Sequence, residues 1–323
     1  MPSVYSNDIL AARGRITGLI QPTPMARSAS LSERLQADVF LKLECRQLTG
    51  SFKVRGAFNA VARLSDAARE RGVVTASTGN HGKALAYVCA RLGVKVTVCL
   101  SSLVPSNKVR AIRHGGAELI MAGSSQNEAL QYAMDYASAS GAIFIPPFDH
   151  PDIIAGQGTL GLEIVEQCPV VQEILVPLSG GGLFSGVALA AKHADPAIRL
   201  HGVSMQRGAA MQASLAAGRP VNVEESPTLA DSLGGGIGLD NRYTFALTRE
   251  LCDRVHLVDE PAIACAMRHL HHQEGQTVEG AAAVGVAALL QGLIQPKGPV
   301  VVVISGSNVD DEQLLRVLSG AHK

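Results

Sequence analysis

Short β-rich runs alternate with helical periodicity along almost the whole chain, and this alternation restricts the fold more than any other feature of the sequence. The runs are built from Val, Leu, Ile and Ala, as is usual for strands that helices cover on both faces. Predicted strands span residues 39–43, 73–76, 94–100, 118–121, 142–145, 173–178, 200–204, 255–258 and 300–304. Predicted helices include residues 53–64, 81–92 and 125–140, and an amphipathic helix precedes the first strand. Repeated strand–helix–strand units predict an α/β fold with parallel sheets.

The chain length and one cluster of turn residues indicate how this fold is divided. A chain of 323 residues suggests about two domains. Turn-forming residues cluster in the segment PPFDHP at 146–151. We therefore predict that the chain passes from one domain to the other near this point.

The composition excludes several classes of partner. Lys plus Arg and Asp plus Glu number 28 each, so the basic excess of nucleic-acid-binding proteins is missing. No apolar run approaches the ~18 residues of a membrane span, and the N-terminus lacks the apolar core of a signal peptide. The cysteines form no CxxC pair and no metal-ligand spacing, which is typical of reduced thiols in a cytosolic protein. We expect a cytoplasmic protein that binds neither nucleic acid nor membrane.

The segment Thr49-Gly50-Ser51-Phe52-Lys53 places a lysine at the start of a predicted helix. The N-terminus of a helix carries partial positive charge, which disfavours an ammonium and favours the neutral amine that a Schiff base needs. A solvated loop lysine is the commoner explanation of any single lysine, so this motif needs support from others.

Residues 77–82 (STGNHG) lie between a predicted strand and a predicted helix. Small residues at this place expose backbone N–H groups at a helix N-terminus, where a carboxylate can bind. An ordinary capped turn with a packed His81 is the alternative explanation.

Residues 179–183 (SGGGL) follow a predicted strand and precede a helix, a pattern that suits a phosphate cradle. A glycine-rich turn used only for tight packing is the alternative. A dinucleotide-binding fold has similar glycines but needs an acidic residue at the end of the next strand, and that strand ends HGVSM at 201–205. A phosphate ligand without a ribose fits better, and pyridoxal phosphate is such a ligand. Residues 305–308 (SGSN) follow another predicted strand, at the edge where α/β folds bind ligands.

Together with FDHPDIIAGQGT at 148–159, these four segments resemble the fold-type II pyridoxal-phosphate (PLP) family of threonine/serine dehydratases and serine racemase. The resemblance covers nearly the whole chain and is nearest to catabolic dehydratases such as phenylserine dehydratase and the hydroxyectoine-utilisation dehydratase. It implies the tryptophan synthase β-like fold with two three-layer αβα domains. The large PLP-binding domain would comprise residues 1–50 plus 147–323, and the small substrate-loop domain residues 51–146. The resemblance also implies a homodimer, with a monomer as the alternative.

The resemblance implies roles for individual residues as well. Lys53 matches the Schiff-base lysine, and Phe52 matches the residue that flanks the cofactor ring. Asn80 matches the partner of the cofactor's 3′-oxygen, and Ser305 matches the partner of its pyridine nitrogen. The phosphate loop would comprise Ser179, Gly180, Gly181, Gly182 and Leu183. The substrate site would comprise Ser77, Thr78, His81 and Ser232. Lys83 stands where the family usually has Gln, so we assign the Schiff base to Lys53.

Three positions depart from the family pattern. Thr78 stands where dehydratases tend to have Ala and racemases Ser, which makes it a second candidate catalytic residue beside Lys53. Its methyl group would also crowd the site, and filling of space is the purpose that we favour for it. Ser204 replaces a glutamate that binds a divalent metal in many relatives, so we expect no metal site. Ser232 replaces a glycine and precedes Gly234-Gly235-Gly236, and our hypothesis is that these glycines make room for a substrate side chain larger than methyl.

The expected reaction is α,β-elimination from a β-hydroxy-α-amino acid of the threonine, serine or 3-phenylserine type, giving a 2-keto acid and ammonia. The alternative within PLP chemistry is an amino-acid racemase, in which the Thr78 hydroxyl would act as an acid. A β-replacing synthase of the cysteine type is disfavoured because such enzymes carry Thr where His81 stands. From another class, a non-catalytic PLP-binding or nucleotide-binding protein is the alternative.

Overall fold

A computed structural model describes residues 4–320 of the chain except positions 78, 103 and 105. The strands are β1 (Met25–Arg27), β2 (Val39–Lys42), β3 (Val73–Ala76), β4 (Val96–Leu100), β5 (Glu118–Met121), β6 (Ile143–Phe144), β7 (Glu173–Pro177), β8 (Arg199–Met205), β9 (Arg254–Val258) and β10 (Val300–Val303). The helices are α1 (Ser6–Ile16), α2 (Ala29–Leu35), α3 (Lys53–Ala62), α4 (Asp66–Arg71), α5 (Asn80–Leu92), α6 (Ser106–His114), α7 (Gln126–Ser140), α8 (Pro151–Gln167), α9 (Gly182–Ala194), α10 (Ala210–Ala217), α11 (Thr244–Leu251), α12 (Glu260–Glu274), α13 (Gly280–Leu290) and α14 (Asp311–Leu318). Short 3₁₀ helices span Glu44–Arg46 and Asp231–Leu233. Among these described helices, none is both long enough and apolar enough to cross a membrane.

The strands form two sheets. The larger has the order β1-β2-β10-β7-β8-β9, and the smaller has the order β5-β4-β3-β6. All described pairs are parallel except β1 with β2, in which Met25 lies opposite Lys42. The predicted α/β fold with parallel sheets is confirmed, and the antiparallel edge strand β1 is an addition that the sequence pattern did not indicate. The domain boundaries at residues 50 and 146 stay a prediction.

Each predicted strand is present, but several end earlier than the apolar run that indicated them. Leu43, Leu178 and Ile304 are buried like strand residues, yet each lies just beyond its strand. At these points the chain leaves the sheet and turns into the functional segments that follow. Burial therefore continues beyond the last residue that is hydrogen-bonded to a neighbouring strand, and an apolar run alone does not locate that residue.

Helices cover both faces of the large sheet. On one face lie α12 and α13. The sequence of α13, GAAAVGVAALL, is buried on nearly every side. On the other face α9 and α8 bury Leu160, Phe184 and Val187 against β7 and β10. A helix that is apolar all round, such as α13, is stable only where protein surrounds it completely.

Glycines allow α8 to approach both α3 and α9 closely. A Cβ atom at Gly156 would lie 2.6 Å from the Cα of Gly56, and one at Gly186 would lie 2.5 Å from the backbone nitrogen of Gly158. Even an alanine would therefore separate these helices. Through α8, the helix α3, whose apolar residues join the core over the small sheet, is held against the large sheet.

A buried cluster of two cations and two anions fixes the start of α3. The guanidinium of Arg55 donates to the Glu44 carboxylate at 2.7 and 2.8 Å and to the Glu163 carboxylate at 2.6 and 2.9 Å. The Lys42 ammonium donates to Glu163 at 2.6 Å. Burial disfavours the charge on Glu44, but Arg55 and its hydrogen bonds outweigh burial and hold the pKa of this carboxyl below its ordinary value. The charges balance, so the cluster can remain ionised inside the protein.

Replacing Arg55 by Met should destabilise the protein strongly. The substitution leaves the fully buried Glu44 without its cation, and breaking one partner of a buried pair typically costs about 3–5 kcal/mol. Arg27 provides a matched control, because its ion pair with Asp38 is half exposed, and Arg27→Met should cost less than about 1 kcal/mol. Urea unfolding of the three proteins measures both values. Equal midpoints for the two variants would contradict this account of the cluster.

Candidate active site

Lys53 begins α3 at the junction between the two sheets. The preceding chain is tied to the segment after β10 by an isolated antiparallel bridge between Ser51 and Gly306, and by a 3.1 Å hydrogen bond from the Phe52 N–H to the Ser305 carbonyl. The Lys53 amine donates to the Pro147 carbonyl at 2.8 Å and lies 5.3 Å from the centre of the Phe52 ring.

The surroundings of Lys53 destabilise its charged form. Burial lowers the pKa of the amine to about 8, while the Glu279 carboxylate acts in the opposite direction. An amine with such a pKa is available as a nucleophile or as a base near neutral pH. The lowered pKa is in the direction expected from the helix start, but the cause that the structure shows is burial.

The glycine loop packs against Phe148, the residue that follows the Pro147 carbonyl bound to Lys53. Gly180 packs its Cα directly on the Phe148 ring, where a Cβ would collide, and a Cβ at Gly182 would lie 3.0 Å from the Phe148 backbone. Gly181 has φ +86°, a conformation that favours glycine. The loop follows β7 and opens α9, so the first-turn N–H groups of α9 have no partner within the helix. Because Pro147 contacts the Lys53 amine and Phe148 contacts the loop, two adjacent residues join the amine to the candidate phosphate cradle.

Asn80 is the first residue of α5 and faces a buried carboxylate. Its amide nitrogen lies 2.9 and 3.1 Å from the two oxygens of Glu279. Glu279 precedes α13, and its backbone N–H donates to the carbonyl of Gly306 at 3.2 Å. The turns that start α3, α5 and α13 therefore meet at the segment after β10.

His81 is buried and neutral. Burial lowers the pKa of its imidazole to about 3, and the positive charge of Lys53 contributes in the same direction. Its Nε2 lies 3.1 Å from the carbonyl of Ile145, which can only accept, so Nε2 carries the hydrogen. Ser77 is half-buried beside this turn. Thr78 lies outside the described residues.

The remaining predicted site residues differ in how closely they approach this centre. Ser305 is buried at the end of β10, where its carbonyl receives the Phe52 N–H. Ser232 is exposed, and its hydroxyl lies 3.4 Å from the carboxylate of the adjacent Asp231. None of the described contacts joins Ser232 to the other predicted site residues. The backbone of Leu229 just before it packs directly on Gly280.

Two residues of the site were not singled out from the sequence. Glu279 belongs to no motif, and the available signal was a lone acid directly before the wholly apolar run of α13. Asn308 lay within a motif but received no role, and its side chain covers Gly50 and contacts Asn80. Among the described residues no group of three or more His, Cys, Asp or Glu side chains is arranged to bind a metal ion.

Comparisons with known proteins agree with this geometry. Residues 16–306 match the family described as "Pyridoxal-phosphate dependent enzyme". This chain belongs to that family. It is 52% identical over 310 residues to a "Putative threonine dehydratase" of Sinorhizobium fredii, covering 96% of this chain and 93% of the relative. It is 40% identical over 312 residues to an "L-threonine ammonia-lyase" of Thermotoga maritima, covering 97% and 77%. The structure of maize serine racemase superposes with a TM-score of 0.92 at 33% identity, covering 99% of this chain and 98% of that one.

These similarities confirm several predictions. The fold-type II family of threonine/serine dehydratases and serine racemase, the cofactor PLP and the class of PLP-dependent ammonia-lyases are confirmed. The roles of individual residues, the homodimer and the cytoplasmic location stay predictions.

The residues present fit the cofactor. PLP needs an amine for its aldehyde and hydrogen-bond donors for its phosphate. Lys53 and the glycine loop offer these groups in one place. In addition, the hydroxyls of Thr49 and Ser51 are buried without a hydrogen-bond partner among the described residues, which suits a site built around a polar ligand.

The pH dependence of cofactor attachment should report the pKa of Lys53. Only the neutral amine attacks an aldehyde, so the rate at which the apoprotein captures PLP should be half-maximal near the pKa of about 8. Glu279→Gln removes the charge that raises this pKa, so the midpoint should move to lower pH. Glu274→Gln, which alters a carboxylate bound to Ser28 and Ser30 instead, is the control and should leave the midpoint unchanged. Stopped-flow absorbance measures the rates, and an unchanged midpoint in Glu279→Gln would be evidence against the electrostatic role of Glu279.

Proposed function

We propose that this protein is a deaminating dehydratase that converts L-threonine, and L-serine as a second substrate, into a 2-keto acid and ammonia. The observation that carries the proposal is the contact of Pro147 with the Lys53 amine and of Phe148 with the glycine loop, which brings a base of lowered pKa next to a phosphate cradle. The names of the relatives from Sinorhizobium fredii and Thermotoga maritima support threonine as the first substrate to test. 3-Phenylserine stays in the proposal as a bulkier substrate.

Lys53 is the residue that we assign to proton removal. Bound PLP supplies an electron sink that acidifies the α-hydrogen of the attached amino acid. The Lys53 amine would be the general base that accepts this α-proton. A pKa of about 8 suits this exchange, because the amine can both accept and return a proton near neutral pH.

The start of α5 is the proposed site for the substrate carboxylate. Backbone N–H groups of its first turn, with the hydroxyls of Ser77 and Thr78, would bind the anion at the positive end of the helix dipole. His81 positions this turn, because its Nε2–H is bonded to Ile145 at the end of β6. Since the imidazole is neutral, it adds no charge to the carboxylate site and does not titrate in the working pH range.

Ser305 is the proposed partner of the cofactor's pyridine nitrogen. A neutral hydroxyl does not hold that nitrogen protonated as a carboxylate would, so the ring withdraws fewer electrons. The Ser305 hydroxyl would therefore favour prompt loss of the β-hydroxyl over transamination. The net reaction releases the hydroxyl as water and consumes water when ammonia is freed.

An amino-acid racemase is the second candidate. The similarity to maize serine racemase favours it, together with the hydroxyl that Thr78 offers where racemases carry Ser. Racemisation returns the proton to the opposite face of the α-carbon, so it needs an acid facing Lys53 across the substrate. Dehydration has no such requirement.

A panel of substrates separates these activities. We expect the PLP-loaded enzyme to release keto acid and ammonia in equal amounts from L-threonine and L-serine, with little enantiomer in the recovered substrate. Lys53→Ala should lower turnover by about 10³-fold or more, given that base catalysis and the covalent attachment are both lost. Lys95→Ala, which alters an exposed lysine, is the control. Enantiomer exchange without ammonia would establish the racemase instead.

The same panel tests the proposed role of the glycine segment. If residues 232–236 set the size of the substrate side chain, Ser232→Gly and Gly236→Val should change the ratio of 3-phenylserine to threonine turnover. Gly236 is preferred to Gly235 as the site of the bulkier residue, because Gly235 has φ +90°, where any side chain causes strain. A Cβ at Gly236 meets nothing nearer than 3.9 Å. Unchanged ratios in both variants would exclude this role.

A further inference from the structure

A row of four polar side chains connects α5 to the segments after β10 and before α13. The Lys83 ammonium donates to Asn308 Oδ1 at 2.7 Å. Asn308 Nδ2 donates to Asn80 Oδ1 at 2.6 Å. Asn80 Nδ2 in turn lies 2.9 and 3.1 Å from the Glu279 oxygens. We call this row the Lys83–Glu279 relay.

The two ends of the relay determine the orientation of both amides. An ammonium can only donate and a carboxylate can only accept, so every hydrogen bond runs from Lys83 toward Glu279. The Thr49 carbonyl, which accepts from Asn308 Nδ2 at 3.0 Å, agrees with this direction. Two amide dipoles are thus aligned head to tail between a cation and an anion. Hydrogen bonds in such a chain polarise one another, and those to charged groups are the stronger ones.

Lys83 is suited to this place because it is only half-buried and carries no other hydrogen bond among the described side chains. Burial lowers the pKa of its amine, while the carboxylate of Glu279 acts against this effect. Among the described residues, the titratable groups around the start of α5 include Lys53, Lys83, Glu279 and the neutral His81. A glutamine, which the resemblance leads us to expect at position 83, has no charge and can turn either end of its amide toward Asn308.

We propose that Lys83 is a positioning residue that aligns and polarises Asn308 and Asn80, so that Asn80 presents a strengthened N–H donor to the cofactor's 3′-oxygen. The inference rests on the proposed function, in which Asn80 is the partner of that oxygen. An amide nitrogen has two hydrogens, and a bond shared between both oxygens of one carboxylate uses one of them. The other hydrogen is left for the cofactor.

A stronger donor at Asn80 would change the pKa of the Schiff base between the cofactor and Lys53. A hydrogen bond donated to the 3′-oxygen stabilises the negative charge of that oxygen and weakens its attraction for the neighbouring proton. A weaker donor should therefore raise the pH at which this proton is lost. The visible absorption band of the holoenzyme reports that pH directly, without substrate.

The experiment is a pH titration of the visible band in holoenzyme variants. Lys83→Met removes the donor and the charge with little change of volume, and the midpoint should rise by about half a pH unit or more. Lys83→Arg keeps a charged donor and should restore the parent midpoint to within about a third of that rise. An unmoved midpoint in Lys83→Met would overturn the inference.

A second pair of variants separates the relay from a charge that acts through space. In an Asn308→Ala background the relay is interrupted, so adding Lys83→Met should no longer shift the midpoint. A shift of the same size in both backgrounds would overturn the relay, because a bare charge needs no connecting amide. Thermal unfolding of each variant shows whether it is folded. Failure of the parent protein to show a visible band would contradict the proposed function itself. A band whose midpoint is the same with and without Lys83 would contradict only this inference.

Discussion

The ion cluster around Arg55 holds the first turn of α3 against the large sheet, and the position of Lys53 depends on it. The apolar residues of α3 join the core over the small sheet, yet its first turn is bonded to Glu44 and Glu163, which lie beyond β2 and on α8. Charged groups are costly to remove from water, and well-packed apolar residues in their place often stabilise a protein as much as a buried ion pair does. Bidentate bonds to two carboxylates, however, fix a guanidinium in one orientation, as apolar packing does not. The cluster therefore determines where the helix start lies as well as how stable it is.

From this fixed point the site is assembled by close backbone approaches. Pro147 and Phe148 touch the Lys53 amine and the glycine loop, and Gly56 and Gly156 allow α3 and α8 to meet at their backbones. The result is a site with few net charges. Burial keeps the His81 imidazole neutral and lowers the pKa of the Lys53 amine. The protonation states of both side chains are therefore set mainly by removal from water.

Much of the fold and part of the site could be predicted from the sequence. Strands such as β3 and β5 have the predicted bounds, because an apolar run between polar turns is a local signal. The short edge strand β1 carries no such signal, since it has three residues that are mostly exposed. Lys53, Asn80, His81 and the glycine loop could be singled out because each belongs to a compact segment at a strand end, and their roles stay predictions. Glu279 and the Arg55 cluster were not found, because their partners lie far away in sequence and only the folded chain brings them together.

The central claim is that Lys53, and not the nearby Lys83, carries the cofactor. The most direct measurement is reduction of the holoenzyme with borohydride, which converts the Schiff base into a stable secondary amine, followed by proteolysis and mass spectrometry. We expect the pyridoxyl group on the peptide that contains Lys53, with the peptide that contains Lys83 unmodified. A pyridoxyl group on Lys83, or on any lysine outside the junction of the two sheets, would contradict the account.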